Sequence, residues 1–415
     1  MSDLMLSADQ QRAYEAFCQL IQDPNQSILV IEGYAGTGKS FLIRKCVQDL
    51  HNLLKTVRLL KIRIPDYKLH LTATTNKAVE TLRSMTGQDA QTIYSLLGLR
   101  IKTDYSDMST SITVNQRAQI IEDAIIFIDE AGLVNYQLLE YISIRTRRCK
   151  IVFIGDPAQL LDIKSKTALV FARDYPKVTM TEVIRQSSGS PVLELATAFR
   201  HTVNTGEFFS FKPDNQHVYH LDRLNFDQAI INEFTHPDWK ESSSRVLAWT
   251  NNRVIAYNKG IYLRVNGTPK FKKGDYAICN SYMPNDAQRV KTGQMVCISA
   301  IKPGEEEGVP GYHVEVDCGK TPFFLPENFT DKKKALKAAQ QLRKFSLAKH
   351  IDQHWIDLRA AYASTINKAQ GSTFDRVFID LDDIKRCTNG NQIARLLYVG
   401  VSRAREQVYL TGDLV

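Results

Sequence analysis

The sequence predicts an α/β protein with two parallel-sheet lobes. Three observations carry that expectation: β-rich runs alternate with helical stretches in the first half, the same rhythm returns near the end, and a glycine-rich loop stands between a strand and a helix. In the first half the apolar β-prone runs cover 27–32, 69–73, 124–128 and 150–154, separated by polar or amphipathic segments. In the second half they cover 245–249, 376–381 and 407–410. Between them, from about 270 to 326, short β-prone pieces at 276–279, 294–301 and 312–316 are broken by Gly and Pro, the pattern of a small all-β insertion. The segment 99–114 alternates Leu99 and Ile101 with Arg100 and Lys102, then crosses a polar turn to Ile112 and Val114; it is expected to form a β-hairpin. Residues 331–358 read as one long helix with Asp331 as N-cap. It carries Lys332, Lys333, Lys334, Lys337, Arg343, Lys344 and Lys349, and a solvated face is the plainer reading, with phosphate contact as the alternative.

With 415 residues, 43% hydrophobic and 24% charged, the chain can bury several cores. Lys and Arg number 53 against 45 Asp and Glu, a formal +8 that suits a polyanionic partner without requiring one. No stretch approaches the ~18 apolar residues of a membrane span, and Asp3 and Asp9 interrupt any signal-like start, so a cytoplasmic protein is expected. Seven scattered cysteines without a C-x-x-C argue against a disulfide framework and a structural zinc site. His350 and His354 have the spacing of a helical metal pair but lack the glutamate of H-E-x-x-H and a third ligand, so no metal is assigned to them. Trp239, Trp249 and Trp355 sit singly among apolar residues, where packing is the default.

The chemistry begins at Gly33-Tyr34-Ala35-Gly36-Thr37-Gly38-Lys39-Ser40, which fits G-x-x-x-x-G-K-[ST] and lies between a strand and a helix. Such a loop turns its backbone N–H groups onto phosphate oxygens at a helix N-terminus, Lys39 reaches the β and γ phosphates, and the Ser40 hydroxyl can ligate Mg²⁺. ATP with Mg²⁺ is therefore the expected ligand pair. The apolar run 124–128 ends in Asp129 and Glu130; Asp129 suits the Mg²⁺ shell and Glu130 can polarise an attacking water, which makes hydrolysis the expected reaction. A third run ends in Gly155 to Leu160, where Gln159 can sense the γ-phosphate. Arg185 and Arg403 are candidates to reach the nucleotide from across a cleft and stabilise transition-state charge.

Taken in order, these motifs resemble the superfamily 1 helicases, in their RecD-like branch. Residues 6–10 resemble the motif whose glutamine, here Gln10, reads the adenine edge; 33–40 resemble the phosphate loop, with Gly33, Gly36, Thr37, Gly38, Lys39 and Ser40 binding nucleotide. Residues 71–78 resemble a single-strand contact containing Thr74, Thr75 and Lys77; 129–132 and 155–160 resemble the acidic and glutamine motifs. Arg185 falls on the family's fourth-motif arginine, Thr250 and Asn251 on a second-lobe DNA stretch, 363–371 on the motif with Thr365, Asn367, Lys368 and Gly371, and 397–404 on the motif whose arginine is Arg403. Tyr94 and Asn367 stand where the family commonly has His, Gly132 where Ser is usual, and Leu161-Asp162 where Pro-Pro is usual.

The resemblance implies two RecA-like P-loop lobes: residues 1–186 with a hairpin at about 98–116, and 187–268 with 356–415, the latter interrupted at 269–355 by a barrel-like β-domain plus a basic helix. It implies a monomeric ATP-dependent helicase acting on single-stranded DNA and on tailed or forked duplexes, with a 5′-to-3′ direction taken from the resemblance alone. Single-strand-binding, replication or recombination proteins are the protein partners it suggests. Tyr105 or Met108 at the hairpin tip would be the duplex wedge. A translocase that strips proteins without unwinding, and a non-enzymatic ATP-gated binding module, are the alternatives.

Overall fold

The computed structural model describes residues 6–103, 110–115, 118–160, 168–183, 190–268, 270–283, 289–317, 319 and 321–414. Arg185, Tyr105, Met108, Leu161 and Asp162 lie outside the described residues.

The first part of the chain contributes β1 (Ile28–Gly33), β2 (Lys68–Ala73), β3 (Ala90–Thr92), β4 (Leu99–Thr103), β5 (Thr110–Val114), β6 (Ile121–Glu122), β7 (Ala124–Asp129), β8 (Thr146–Arg147), β9 (Lys150–Gly155) and β10 (Lys177–Met180). Six of them form one sheet in the order β10, β1, β9, β7, β2, β3, with every pairing parallel. Parallel strands need crossovers, and the helices supplying them cover both faces. Leu29, Ile31, Ile125 and Phe127 pack with Ala13, Phe17, Leu42 and Ile43 on one face. Their neighbours Val30, Ile126, Ile128 and Phe153 pack with Leu138, Ile142 and Val170 on the other. The period of two explains why central strands read as continuous apolar runs. Strands β3 and β10 escape that signal: they are short edge strands, and β10 leaves Lys177 and Thr179 exposed. Strands β4 and β5 pair antiparallel, Leu99 opposite Val114 and Ile101 opposite Ile112.

The second part contributes β11 (Val218–Leu221), β12 (Ser244–Ala248), β13 (Tyr276–Cys279), β14 (Met295–Glu306), β15 (Val309–Val316), β16 (Phe323–Pro326), β17 (Leu358–Arg359), β18 (Ala363–Thr365), β19 (Phe374–Asp380) and β20 (Ala404–Thr411). A parallel sheet runs β11, β20, β19, β12, β18, and an antiparallel one runs β16, β15, β14, β13, β17. Among the described residues no helix is long and apolar enough to cross a membrane.

The long basic helix expected over 331–358 is two helices, Phe329–Gln341 and Phe345–His354, with Arg343 at φ 54° between them. Its N-cap is Asn328 rather than Asp331, which instead pairs with Lys334 in the first turn at 3.0 Å. Lys332 is not a solvated cation: its Nζ donates to the carbonyls of Asp352 (2.9 Å) and Trp355 (2.7 Å), tying the second helix end back to the first. Burial pushes its pKa down. Trp355 itself is fully buried, its ring 4.8 Å from that of Phe324 and its indole N–H donating to Glu306 Oε2 at 2.7 Å. Because Trp355 fills the space between the helix pair and β16, Trp355→Ala is expected to cost about 3–5 kcal/mol, read as a lower denaturant midpoint.

Candidate functional site

Parallel strands bring their C-terminal ends to one edge, and β1, β2, β7 and β9 deliver the phosphate loop, Thr74, Asp129 with Glu130, and the Gly155–Leu160 turn to it. The loop is held by its own glycines. Gly38 sits at φ 80° as the N-cap of the helix Lys39–Leu59, and a Cβ on Gly33 would lie 2.7 Å from Thr37 Oγ1. Lys39 Nζ donates to the carbonyls of Gly33 (2.6 Å) and Tyr34 (2.9 Å). Gln10 completes a capping box with Ser7 and reaches the carbonyls of Thr37 and Gly38, both at 3.4 Å, so it braces the loop. Its neighbour Asp9 accepts from the N–H groups of Glu182 (2.9 Å) and Thr181 (2.6 Å). Those donors hold its carboxyl down at about 2.

Asp129 ends β7 and is buried. Burial, with the charge of Glu130 beside it, pushes its pKa up to about 7. Glu130 adopts φ 55°, which swings its backbone so that its N–H donates to Asp129 Oδ1 at 2.8 Å and its carbonyl accepts from the Thr74 hydroxyl at 3.1 Å. The donor set at this edge, the Ser40 hydroxyl with two carboxylates, is all oxygen, which fits Mg²⁺.

The second lobe closes directly on this edge. Ala158 and Leu160 join a buried cluster with Val192, Leu195, Ile366 and Leu397. Arg395 Nη1 donates to the carbonyls of Pro157 (2.7 Å) and Gln159 (2.6 Å). Gln370 Nε2 reaches Gln159 Oε1 at 2.9 Å and Glu130 Oε2 at 3.3 Å, and Gly371 at φ 78° lets the chain pass Glu130. Of the two expected arginines, Arg403 is not brought to the loop: it is buried and donates to Val399 O, Ser372 O and Ser402 Oγ within its own lobe. Among the described residues, an arginine that does reach the loop is Arg200, whose guanidinium carbon lies 3.8 Å above the Tyr34 ring. Arg200 and Arg395 carry no sequence signal, being single cations on amphipathic helices. Gln370 and Tyr398 lie within recognisable motifs, yet only the folded chain shows what they touch.

A cleft of about 1930 Å³ runs between the two parallel sheets and the antiparallel module. Thr74, Thr75, Lys77, Tyr94, Asn251, Thr365, Asn367 and Lys368 all line it. Thr250 does not: its hydroxyl is 2.8 Å from Asp383 Oδ1 and accepts from Arg253 N, so it works as a cap. Thr75 and Thr365 are caps too, accepting from Ala78 N and Lys368 N. Three helix N-termini, at Asn76, Asn251 and Ile366, thus reach the same cleft, and such ends attract phosphate oxygens. Lys368 is spoken for by Asn280 of the antiparallel module, and burial pushes its pKa down. The module adds Tyr282, Arg289 and Lys291 to the wall, with Phe345 and Lys349 from the helix after it.

The chain matches the family described as AAA domain over residues 5–222, and that described as UvrD-like helicase C-terminal domain over residues 360–411. It is similar to the ATP-dependent DNA helicase dda of Enterobacteria phage T4, 24% identical over 97% of this chain and 98% of that one. It is also similar to the RecBCD enzyme subunit RecD of Buchnera aphidicola subsp. Schizaphis graminum, 23% identical over 92% of this chain and 70% of that one. In fold it is similar to a Pif1 helicase from Bacteroides solved with ADP-AlF3 and ssDNA, at a TM-score of 0.52 and 16% identity, covering 100% of this chain and 94% of that one.

Gln370→Ala deletes the hydrogen bonds from Gln370 to the Glu130 and Gln159 side chains and leaves Arg395 on the Gln159 carbonyl. It is expected to slow nucleotide hydrolysis about 5- to 30-fold, with nucleotide affinity kept within about twofold, as steady-state rates and a binding titration will report. The Asp9 clasp has a pH signature. Its pKa is lowered in the fold, so its stabilisation is complete above the ordinary carboxylate value and is lost as pH falls toward about 2. Unfolding midpoints measured between pH 5 and pH 2, as a rough window set by those two values, are expected to fall less steeply in Asp9→Asn than in the parent chain.

Proposed function

The chain belongs to the AAA domain family, as a superfamily 1 helicase of the RecD-like kind, and from that premise we propose that it is an ATP-dependent DNA helicase that moves 5′-to-3′ on single-stranded DNA. One observation carries the coupling: the hydrolytic edge and the cleft share residues. Gln370 touches Glu130 and Gln159 while lining the cleft, and Thr74 lines the cleft while its hydroxyl holds the Glu130 carbonyl.

In this reading the loop N–H groups, Lys39 and Ser40 bind the triphosphate, and Gln10 meets the base. Ser40 and Asp129 would hold Mg²⁺, which would supply charge neutralisation to the bound triphosphate. Glu130 polarises water, and Gln159 with Gln370 senses whether a γ-phosphate is present. Arg185 and Arg403 belong to the closed state, which Arg403 reaches by exchanging its carbonyl partners for phosphate. Single-stranded DNA lies in the cleft on the capped helix ends of Thr75, Thr250 and Thr365, with Asn251, Asn367, Lys77 and Tyr94 beside it. Because both lobes come from one chain, the site is complete in a monomer. We read residues 1–186, and 187–268 with 356–415, as the two lobes, and 269–355 as the inserted module. Its barrel-like character is supported by Phe324 bridging to Trp355 just before β17, with Ile356 N donating to Phe324 O at 2.7 Å. The β4–β5 hairpin is the proposed strand separator.

Strand displacement compared on duplexes with a 5′ tail and a 3′ tail tests this. ATP-dependent unwinding of the 5′-tailed substrate is expected, with turnover reduced about 10²- to 10⁴-fold in Glu130→Gln. ATP hydrolysis without unwinding of either substrate would instead identify a translocase, and binding without hydrolysis an ATP-gated module.

A further inference from the structure

Tyr398 lies on the second-lobe helix Gly390–Val401 and is 2% exposed, yet its hydroxyl reaches the first lobe twice. It accepts from the Ala35 N–H at 3.0 Å and donates to Asp156 Oδ2 at 2.6 Å. Ala35 is in the phosphate loop, whose backbone N–H groups are the donors that cradle phosphate oxygens. One of those donors is therefore already satisfied, by a residue of the opposite lobe. The neighbouring loop residue Tyr34 is held in the same way, under the Arg200 guanidinium. The space beside them, lined by Ala35, Gly36, Thr373, Tyr398 and Ser402, measures about 30 Å³, room for one water rather than a phosphate group.

We propose that Tyr398 is a positioning residue that competes with the nucleotide for the phosphate loop, so that phosphate entry must displace its hydroxyl from Ala35 and thereby loosen Asp156. The inference rests on the nucleotide site argued above and adds a route by which occupancy reaches the second lobe. Asp156 does not depend on Tyr398 alone, since it also accepts from Ala158 N at 2.9 Å. The same helix carries Arg395, which holds the Pro157 and Gln159 carbonyls. Displacing the phenol thus changes the grip of one helix on the whole Gly155–Leu160 turn.

Titration of the full chain with a fluorescent ATP analogue, without DNA, tests the competition. Tyr398→Phe keeps the ring in its core and removes only the oxygen. It is expected to bind the analogue about fivefold more tightly, the value of one hydrogen bond no longer exchanged. A merely structural role would weaken binding or leave it unchanged, and either result in Tyr398→Phe overturns the proposal. Asp156→Asn is the second variant, because it weakens the charge-assisted bond that anchors the phenol. Tighter binding is expected there as well, by less than fivefold, and unchanged or weaker binding counts against the proposal in the same way. Hydrolysis of ATP by the parent chain, assayed separately with single-stranded DNA added, separates the two readings: binding without hydrolysis even then sinks the helicase function and leaves the affinity comparison standing. A parent chain that binds no analogue overturns both.

Discussion

The arrangement turns on one short turn, Gly155 to Leu160, which leaves the first sheet and is buried in the second lobe. Its apolar part is the anchor: Leu160 and Ala158 sit in the second lobe's core, and a fully buried leucine contributes about 1.5–3 kcal/mol. The polar bonds around it are worth about 0.5–1.5 kcal/mol where both groups are neutral, as at Gln370, and about 1.5–3 kcal/mol where the Arg395 cation or the Asp156 carboxylate takes part. Burial and these bonds hold the lobes together jointly, while the directional hydrogen bonds decide which relative position the lobes take. That division suits a device that must change state on nucleotide binding without coming apart. Gly155 is needed for the turn to exist, because a Cβ there would lie 3.0 Å from both Ala131 N and the Phe171 ring.

The cleft follows a second rule. Each parallel sheet sends a strand into a threonine that caps the next helix, at Thr75 after β2 and Thr250 after β12, with Thr365 after β18. The threonine hydroxyls are consumed in capping, so what these helix ends offer a phosphate backbone is their partial positive charge with asparagine beside it, in addition to the cationic side chains on the wall. Such contacts are independent of base identity, as a motor that travels along varied sequence requires.

Formal charge proved a poor map of this surface. Lys332 and Lys368, both plausible phosphate ligands by composition and motif, donate to carbonyl and amide oxygens of the protein itself. Lys77 pairs with Glu80 at 3.3 Å and stays half exposed at the cleft wall. Arg289 and Lys291 face the cleft from the antiparallel module, and Lys349, nearly sixty residues further along the chain, joins the same wall from the helix that follows it.

The central strands, the phosphate loop and the acidic pair were legible because each is a local pattern: an apolar run, a glycine spacing, two carboxylates after a strand. Edge strands β3 and β10 are not, since three or four residues are too few to establish a period even where, as in Lys177 to Met180, polar and apolar side chains alternate; and the expected single helix over 331–358 is two because the break at Arg343 leaves no Gly or Pro in the sequence. For the site, the sequence by itself determined which residue types exist and in what order they line one sheet edge. Only the tertiary structure decided their partners: that Arg403 turns into its own lobe, that Thr250 serves Asp383, and that Gln370, Arg200, Arg395 and Tyr398 are among the side chains that cross between lobes. The physical reason is distance along the chain. Gln370 meets Glu130 across 240 residues and Tyr398 meets Ala35 across 363, and local propensity carries no information about contacts that packing of whole lobes creates.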